Sequence, residues 1–216
     1  MPPTIVWLRQ DLRLADNPAL RAAWRRGSPV VPVFVWAPEE EGSWPPGGAS
    51  RWWLQQSLAQ LAGQFRAAGT ELVICRGPSE AELLGVAKAT GASAVFWNRR
   101  YEPAVVARDR KVEAGLLAAG LQTESCDGTL LHEPGTVRNQ AGRPCQVFTP
   151  FWRTCLASGE PSEPLPAAWI HRPREAPPGV LGAAGVELGR NYPCPVVSLL
   201  LSRKVALEAY NKTRHG

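Results

Sequence analysis

The chain has 216 residues, 44% hydrophobic and 20% charged, enough to bury a core and too apolar for a disordered or fibrous protein, so one domain with an appendage is expected. No apolar run reaches the roughly 18–20 residues that span a bilayer, and Met1-Pro2-Pro3-Thr4 lacks the pattern of a secretory leader, so no membrane partner is expected. The net charge of +5 is carried without a dense basic stripe, which describes a slightly basic surface and does not by itself indicate nucleic acid. Five dispersed cysteines (Cys75, Cys126, Cys145, Cys155 and Cys194), without CxxC or Cys/His spacing, suit a reducing cytoplasm and predict neither a structural disulfide nor a metal site.

Thr4 to Leu8 is a short apolar run that ends in Arg9-Gln10-Asp11, the pattern of a buried strand feeding a loop. Asp16-Asn17-Pro18 then supplies an N-cap and a first-turn proline for a helix through Leu20, Ala23 and Trp24, closed by Gly27. Val30 to Trp36 is a second strand, β-branched and aromatic; Pro32 removes one ladder donor and demands a local edge or distortion. A loop from Pro38 to Gly48 follows.

Ser50 is the expected cap of a helix whose Leu54, Leu58, Leu61 and Phe65 share one face, with Gly69 at its end. Glu71 to Cys75 is a third strand, and Ser79-Glu80-Ala81-Glu82 reads as a capping box for a helix toward Thr90 and Gly91. Ala94 to Trp97, a helix from Pro103 to Ala119 and a strand from Leu121 to Cys126 complete the alternation. Strands joined by helices over such short connections must be parallel, with right-handed crossovers. The expected fold is therefore α/β: an open, mostly parallel, five-stranded Rossmann-like sheet with helices on both faces, followed by a Pro/Gly-rich C-terminal tail.

Ligands of such sheets gather at the carboxyl ends of the strands, here Arg9-Gln10-Asp11, Trp36-Ala37-Pro38, Arg76-Gly77 and Asn98-Arg99. No GxGxxG follows the first strand and no GxxxxGK[ST] occurs, so a standard dinucleotide or P-loop cradle is missing. His132, His171 and His215 lie near no nucleophile motif, and no catalytic residues are assigned. Trp7, Trp36 and Trp97 either pack as amphipathic anchors at strand ends or stack on an aromatic ligand. Arg9, Asp11, Arg13 and Asp16 form a charged loop suited to an internal salt-bridge and capping network, and Arg51, Asn98 and Glu102 are candidates to face the same cleft.

Four ordered segments carry a family resemblance: Trp7 to Leu20 (WLRQDLRLADNPAL), Gly48 to Leu54 (GASRWWL), Trp97 to Pro103 (WNRRYEP) and Val147 to Arg153 (VFTPFWR). Together they resemble the DNA photolyase/cryptochrome family. The resemblance implies that residues 1–155 are an α/β domain able to hold a light-harvesting antenna, a deazaflavin or a folate, which passes excitation to FAD in a larger helical domain. That helical domain binds DNA with a flipped-out pyrimidine dimer, and light-excited reduced FAD donates the electron that splits it. Family activity is thus that of a deoxyribodipyrimidine photo-lyase.

The chain is too short for both domains. Residues 168–177 and 188–197, followed by Ala206 to Tyr210, resemble the family's extreme C-terminus, so residues 183–216 read as a remnant of that tail and residues 156–182 as a linker containing a deletion junction, near Pro164 to Ala167. The FAD-binding middle is then missing, repair by this chain alone is not expected, and DNA binding is doubtful. Ser198 to Leu201 also replace an Asp-His pair common in family tails. By resemblance the antenna-binding residues are Arg9, Trp36, Arg51, Asn98 and Glu102, Arg51 matching an arginine that contacts deazaflavin in some members. Two positions depart: Ala104-Val105 stand where folate binders have Asn-Glu, and Arg100 stands where a deazaflavin binder has Asp. The rival readings are a small cofactor- or nucleotide-binding module and a nonfunctional fragment.

Overall fold

A computed structural model describes residues 1–43, 45–139, 141–159 and 163–165. The Pro/Gly-rich tail, the remnant 183–216 and most of the linker 156–182 lie outside the described residues.

Five strands, β1 (Thr4–Leu8), β2 (Val30–Trp36), β3 (Val73–Arg76), β4 (Ala94–Asn98) and β5 (Gln122–Cys126), form one parallel sheet in the order β3-β2-β1-β4-β5. Helices α1 (Pro18–Arg25), α2 (Gly48–Ala67), α3 (Ser79–Thr90) and α4 (Pro103–Ala118) connect them, and α5 (Phe148–Ala157) follows β5 after a long loop. The twofold alternation of strand side chains splits the core into two layers. Val6, Leu8, Phe34, Trp36, Ile74 and Phe96 pack under α1 and α2, while Ile5, Trp7, Val33, Val35, Cys75 and Trp97 pack under α3 and α4. Helices thus cover both faces, as a parallel sheet requires. The fully buried Leu58, Leu61 and Phe65 of α2 each contribute about 1.5–3 kcal/mol by leaving water.

Pro32 shows how a proline survives in an inner strand. It lies in register with Val6 of β1, and β3 begins pairing only at Val33, so its missing N–H falls where β2 has no neighbour on that side. Asn17 caps α1 as expected, its Oδ1 accepting from the Leu20 N–H at 3.1 Å.

The two serine caps differ from expectation. Helix α2 starts at Gly48 with Gly47 as its N-cap, so Ser50 lies inside the first turn. Helix α3 has Ser79 as its first residue, and the Glu40 carboxylate accepts from both the Ser79 N–H (3.0 Å) and its hydroxyl. An acceptor from a distant 3-10 turn, Pro38–Glu40, has taken the role of the local capping box. Asp16 adopts a left-handed φ of 50°, tolerated by a short polar side chain. There its N–H and carboxylate bond the backbone of Leu165 at 2.8 and 3.1 Å, tying the chain beyond α5 to the loop after β1.

Candidate functional site: a cleft beside the first strand

The strand order reverses between β1 and β4, the position where an open α/β sheet offers a crevice. Here polar side chains close the floor of that crevice, and a groove of about 780 Å³ lined by Asp11, Arg13, Asp16 and residues 127–131 lies outside them. Asn98, 1% exposed at the end of β4, donates to the Asp11 carboxylate and to Asn17 Oδ1 (2.9 Å) and accepts from the Ala19 N–H (3.0 Å). The other oxygen of Asp11 accepts from the Arg9 N–H at 2.9 Å, and Asn17 Nδ2 donates to the carbonyl of Arg13 at 3.1 Å. Buried polar groups that satisfy one another so fully hold the start of α1 against the sheet.

On the other side of β1 the gap is open. An inner cavity of about 100 Å³ is lined by Trp7, Arg9, Trp36, Glu41, Arg100 and Arg108, among others. An outer groove of about 990 Å³ runs between the 9–15 loop and α2, past Ser50, Trp53, Ser57 and Gln60, and shares Arg9, Gln10 and Leu54 with the inner cavity. Trp53 stands 67% exposed at the groove.

An arginine–carboxylate frame holds the inner cavity. Arg9, its side chain 5% exposed, donates to Asp109 and to the Asn98 carbonyl, and its guanidinium lies 4.7 Å from the centroid of the Trp7 ring. Arg108 sits 5.1 Å from the same ring and pairs with Asp109 at 2.8 Å and Glu41 at 3.3 Å. Arg100 grips Glu41 through two 2.8 Å bonds and reaches Glu102 at 2.9 Å. Burial lowers the Arg9 pKa, countered in part by Asp109. Burial pulls Arg100 down too, but its bonds to Glu41 and Glu102 outweigh this and hold it above the ordinary arginine value. The Arg100 hydrogen bond in turn holds Glu102 below the usual carboxylate range. Three donors remain without an acceptor, Trp7 Nε1, Arg9 Nε and Arg100 Nε, all sealed from solvent. Each costs about 1–3 kcal/mol while unpaired.

A second polar cluster lies at the ends of β4 and β5. Glu133 accepts from Tyr101 Oη at 2.6 Å and from two Arg99 nitrogens at 3.1 and 2.8 Å. Burial and the Glu133 bond push the Tyr101 pKa up to about 12, and burial with the nearby Glu133 charge raises Asp127. Cys75 and Cys126 are also pushed up to about 12, chiefly by burial, so neither is an activated thiol.

Of the residues read from the sequence, Arg9 and Trp36 line the inner cavity, and Glu102 meets it only through Arg100. Asn98 spends its side chain on the sealed crevice, and Arg51, exposed in the first turn of α2, lines neither the cavity nor the groove. Trp7 and Trp97 meet edge to face, with centroids 6.0 Å apart, under α3 and α4. Sequence reasoning missed Glu41, Arg108 and Asp109. The carboxylates stand in a loop and a helix with no local signal, and only the crossover geometry carries them to Arg9 and Arg100.

Residues 4–171 match the DNA photolyase family. Cryptochrome-1 of Arabidopsis thaliana is 49% identical over 164 residues, 75% of this chain and 24% of that protein. The deoxyribodipyrimidine photo-lyase of Agrobacterium fabrum is 45% identical over 162 residues, 75% of this chain and 33% of that protein. The crystal structure of a class III photolyase from Agrobacterium tumefaciens superposes with a TM-score of 0.74 at 43% identity, covering 82% of this chain and 36% of that one. An archaeal photolyase from Sulfolobus tokodaii, whose structure holds two FAD molecules, shares the fold at a TM-score of 0.64 and 23% identity, over 77% of this chain and 37% of that one. The chain thus spans between about a quarter and somewhat more than a third of the length of these relatives. With its sheet order, its α/β layers and its ordered motifs matched by photolyases and cryptochromes alike, the chain belongs to the DNA photolyase family.

Proposed function

We propose that the chain is an antenna-binding module of the photolyase/cryptochrome family, with no autonomous repair of pyrimidine dimers. The observation that carries this reading is the two-part cleft beside β1, an outer groove leading to an inner cavity walled by Trp7, Phe34 and Trp36. Orphaned donors and aromatic walls are the lining a planar heteroaromatic group needs. A deazaflavin or folate there absorbs light and hands on the excitation. The chain's own residues bind and orient it: Trp36 and Trp7 supply apolar faces, and Arg9, Arg100 and Arg108, held by Glu41 and Asp109, keep the frame rigid.

Choice between the two antennae turns on residues 100 and 104–105. Arg100 is committed to Glu41 and Glu102, so a contact that needs Asp there is not available to a deazaflavin, while Ala104-Val105 offer a folate neither amide nor carboxylate. Cleavage of a dimer needs the family's flavin electron donor and a pocket for a flipped base. The chain spans about a quarter to a third of the length of these curated relatives, so neither repair nor DNA binding is assigned to this chain alone. Dispersed free thiols favour the reducing cytoplasm.

The test is the absorption spectrum of the full chain purified from a host that supplies flavin, folate and deazaflavin, with a dimer-repair assay alongside. A folate or deazaflavin band without dimer splitting is the expected result; a colourless protein, or light-dependent splitting by the chain alone, overturns it. A second reading, a fragment without a ligand, is favoured by α5, whose Phe148, Phe151, Trp152 and Leu156 form an exposed apolar stripe. Sedimentation showing self-association of a colourless protein would decide for it.

A further inference from the structure

We infer that the chain's own tail, through Val196-Val197-Ser198-Leu199-Leu200-Leu201, covers the exposed apolar stripe of α5. The contact is independent of the antenna reading.

Helix α5 needs a cover. It has ten residues, no side-chain cap on its first N–H groups and no acidic residue in its first turn, and among the described residues Cys155 is its one buried side chain. Isolated helices shorter than about 12–15 residues are marginal in water, so such a helix draws its stability from what packs on its apolar face. That face is already built. Phe148 and Trp152 stack with ring centroids 6.3 Å apart and planes 9° from parallel, Leu156 continues the row one turn on, and Phe151 stands beside it. Yet these four residues are 38–71% exposed.

The occupant follows from chemistry and reach. Five of the six residues from Val196 to Leu201 are large aliphatics, the longest such run beyond Leu165. Arg153 is the one charged residue of α5 and residues 195–202 carry none, so contact between them removes apolar area from water without burying a charge. Leu165 is fixed by its backbone to Asp16, and it follows the end of α5 by eight residues, which places it within about 28 Å of that end. Thirty residues then precede Val196, enough to span roughly 30 Å as a coil. Tethering over such a distance gives an effective concentration on the order of millimolar. A second copy is the weaker competitor, because the four side chains offer roughly 400 Å² where a stable interface takes about 800 Å² per partner.

Hydrogen exchange of the full chain, read by mass spectrometry, tests the contact in the native sequence, in Leu200→Asp on the tail side and in Trp152→Gln on the α5 side. Amides of β1 and β4, which neither substitution touches, report that the α/β core stays folded. Residues 148–157 and 196–201 are both expected to be protected in the native chain, and each variant is expected to speed exchange in both segments about tenfold or more. Sedimentation is expected to show a monomer over roughly a hundredfold range of concentration. Unprotected exchange at 196–201 in the native chain, which needs no variant to observe, overturns the contact. So does exchange at 148–157 that Leu200→Asp leaves unchanged. Protection of α5 that rises with protein concentration, together with a dimer in sedimentation, overturns it in favour of a second copy.

Discussion

The two gaps that flank β1 at the carboxyl edge of the sheet share a loop and end in opposite states. Toward β4, Asp11, Asn17 and Asn98 satisfy one another and the first N–H groups of α1, beneath a polar groove of about 780 Å³ lined by Asp11, Arg13, Asp16 and residues 127–131. Toward β2, an arginine–carboxylate frame of similar burial keeps three donors unpaired around a cavity. Arg9 is the partition, with one terminal nitrogen on the Asn98 carbonyl and the other on Asp109. The contrast teaches that the topological switch point locates the polar loop, while the hydrogen bonds distinguish side chains spent on holding the fold from donors left unpaired.

The largest effect expected from breaking this contrast is at Asp109. Asp109→Ala strands Arg9 in a buried position and weakens Arg108, and should cost about 3–5 kcal/mol in urea unfolding. Asn98→Ala attacks the sealed side: it removes the acceptor of the Ala19 N–H and two donor bonds, and should cost about 2–4 kcal/mol. Because Asn98 lines no part of the open cleft, chromophore affinity measured well below the midpoint of unfolding should stay within about twofold of the native value. A large affinity loss would show that the two gaps are coupled through Arg9.

Smaller effects sharpen the picture at the rim. Absorbance at 295 nm should show one of the three tyrosines ionising near 12, and Tyr101→Phe should abolish that component. A pKa raised in the folded state stabilises fully below the ordinary tyrosine value and is lost as pH rises through the folded one. The gap in stability between the native chain and Tyr101→Phe should therefore close between pH 10 and 12. Glu102→Gln should matter least, about 0–1 kcal/mol, because that carboxylate is half exposed to solvent. Its lowered pKa means that the contribution is present above the ordinary carboxylate range and fades as pH falls through the folded value, which thermal melts from pH 7 to 3 would follow.

Strands β1 and β2 are legible to the residue, since Thr4–Leu8 and Val30–Trp36 are unbroken apolar runs bounded by polar or turn residues. The Asn17 cap is legible for the same kind of reason: donor and acceptor are three residues apart. The Ser79 capping box fails because the competing acceptor, Glu40, comes from 39 residues earlier. Helix α5 is not among the expected elements. Its Phe148, Phe151, Trp152 and Leu156 recur at helical spacing but face solvent, so they offer no burial pattern tied to the core. In the candidate site, Arg9 and Trp36 line the inner cavity from strand ends, whereas Arg51 and Asn98 line neither cavity nor groove, because helix start and hydrogen-bond partners place them elsewhere.

Alone, the sequence determined the alternation of strands and helices, hence a parallel sheet covered on both faces, and through its ordered motifs the family. These are properties of local periodicity and of short strings, readable without knowing what lies across the sheet. Only the tertiary structure decided that Asn98 ties β4 to the start of α1 while Glu41, Arg100, Arg108 and Asp109 frame the cavity beside β2, because those pairings join residues up to 100 positions apart. The partners of a buried charge are chosen by strand order and helix crossing, and no stretch of chain short enough to be read by pattern contains both.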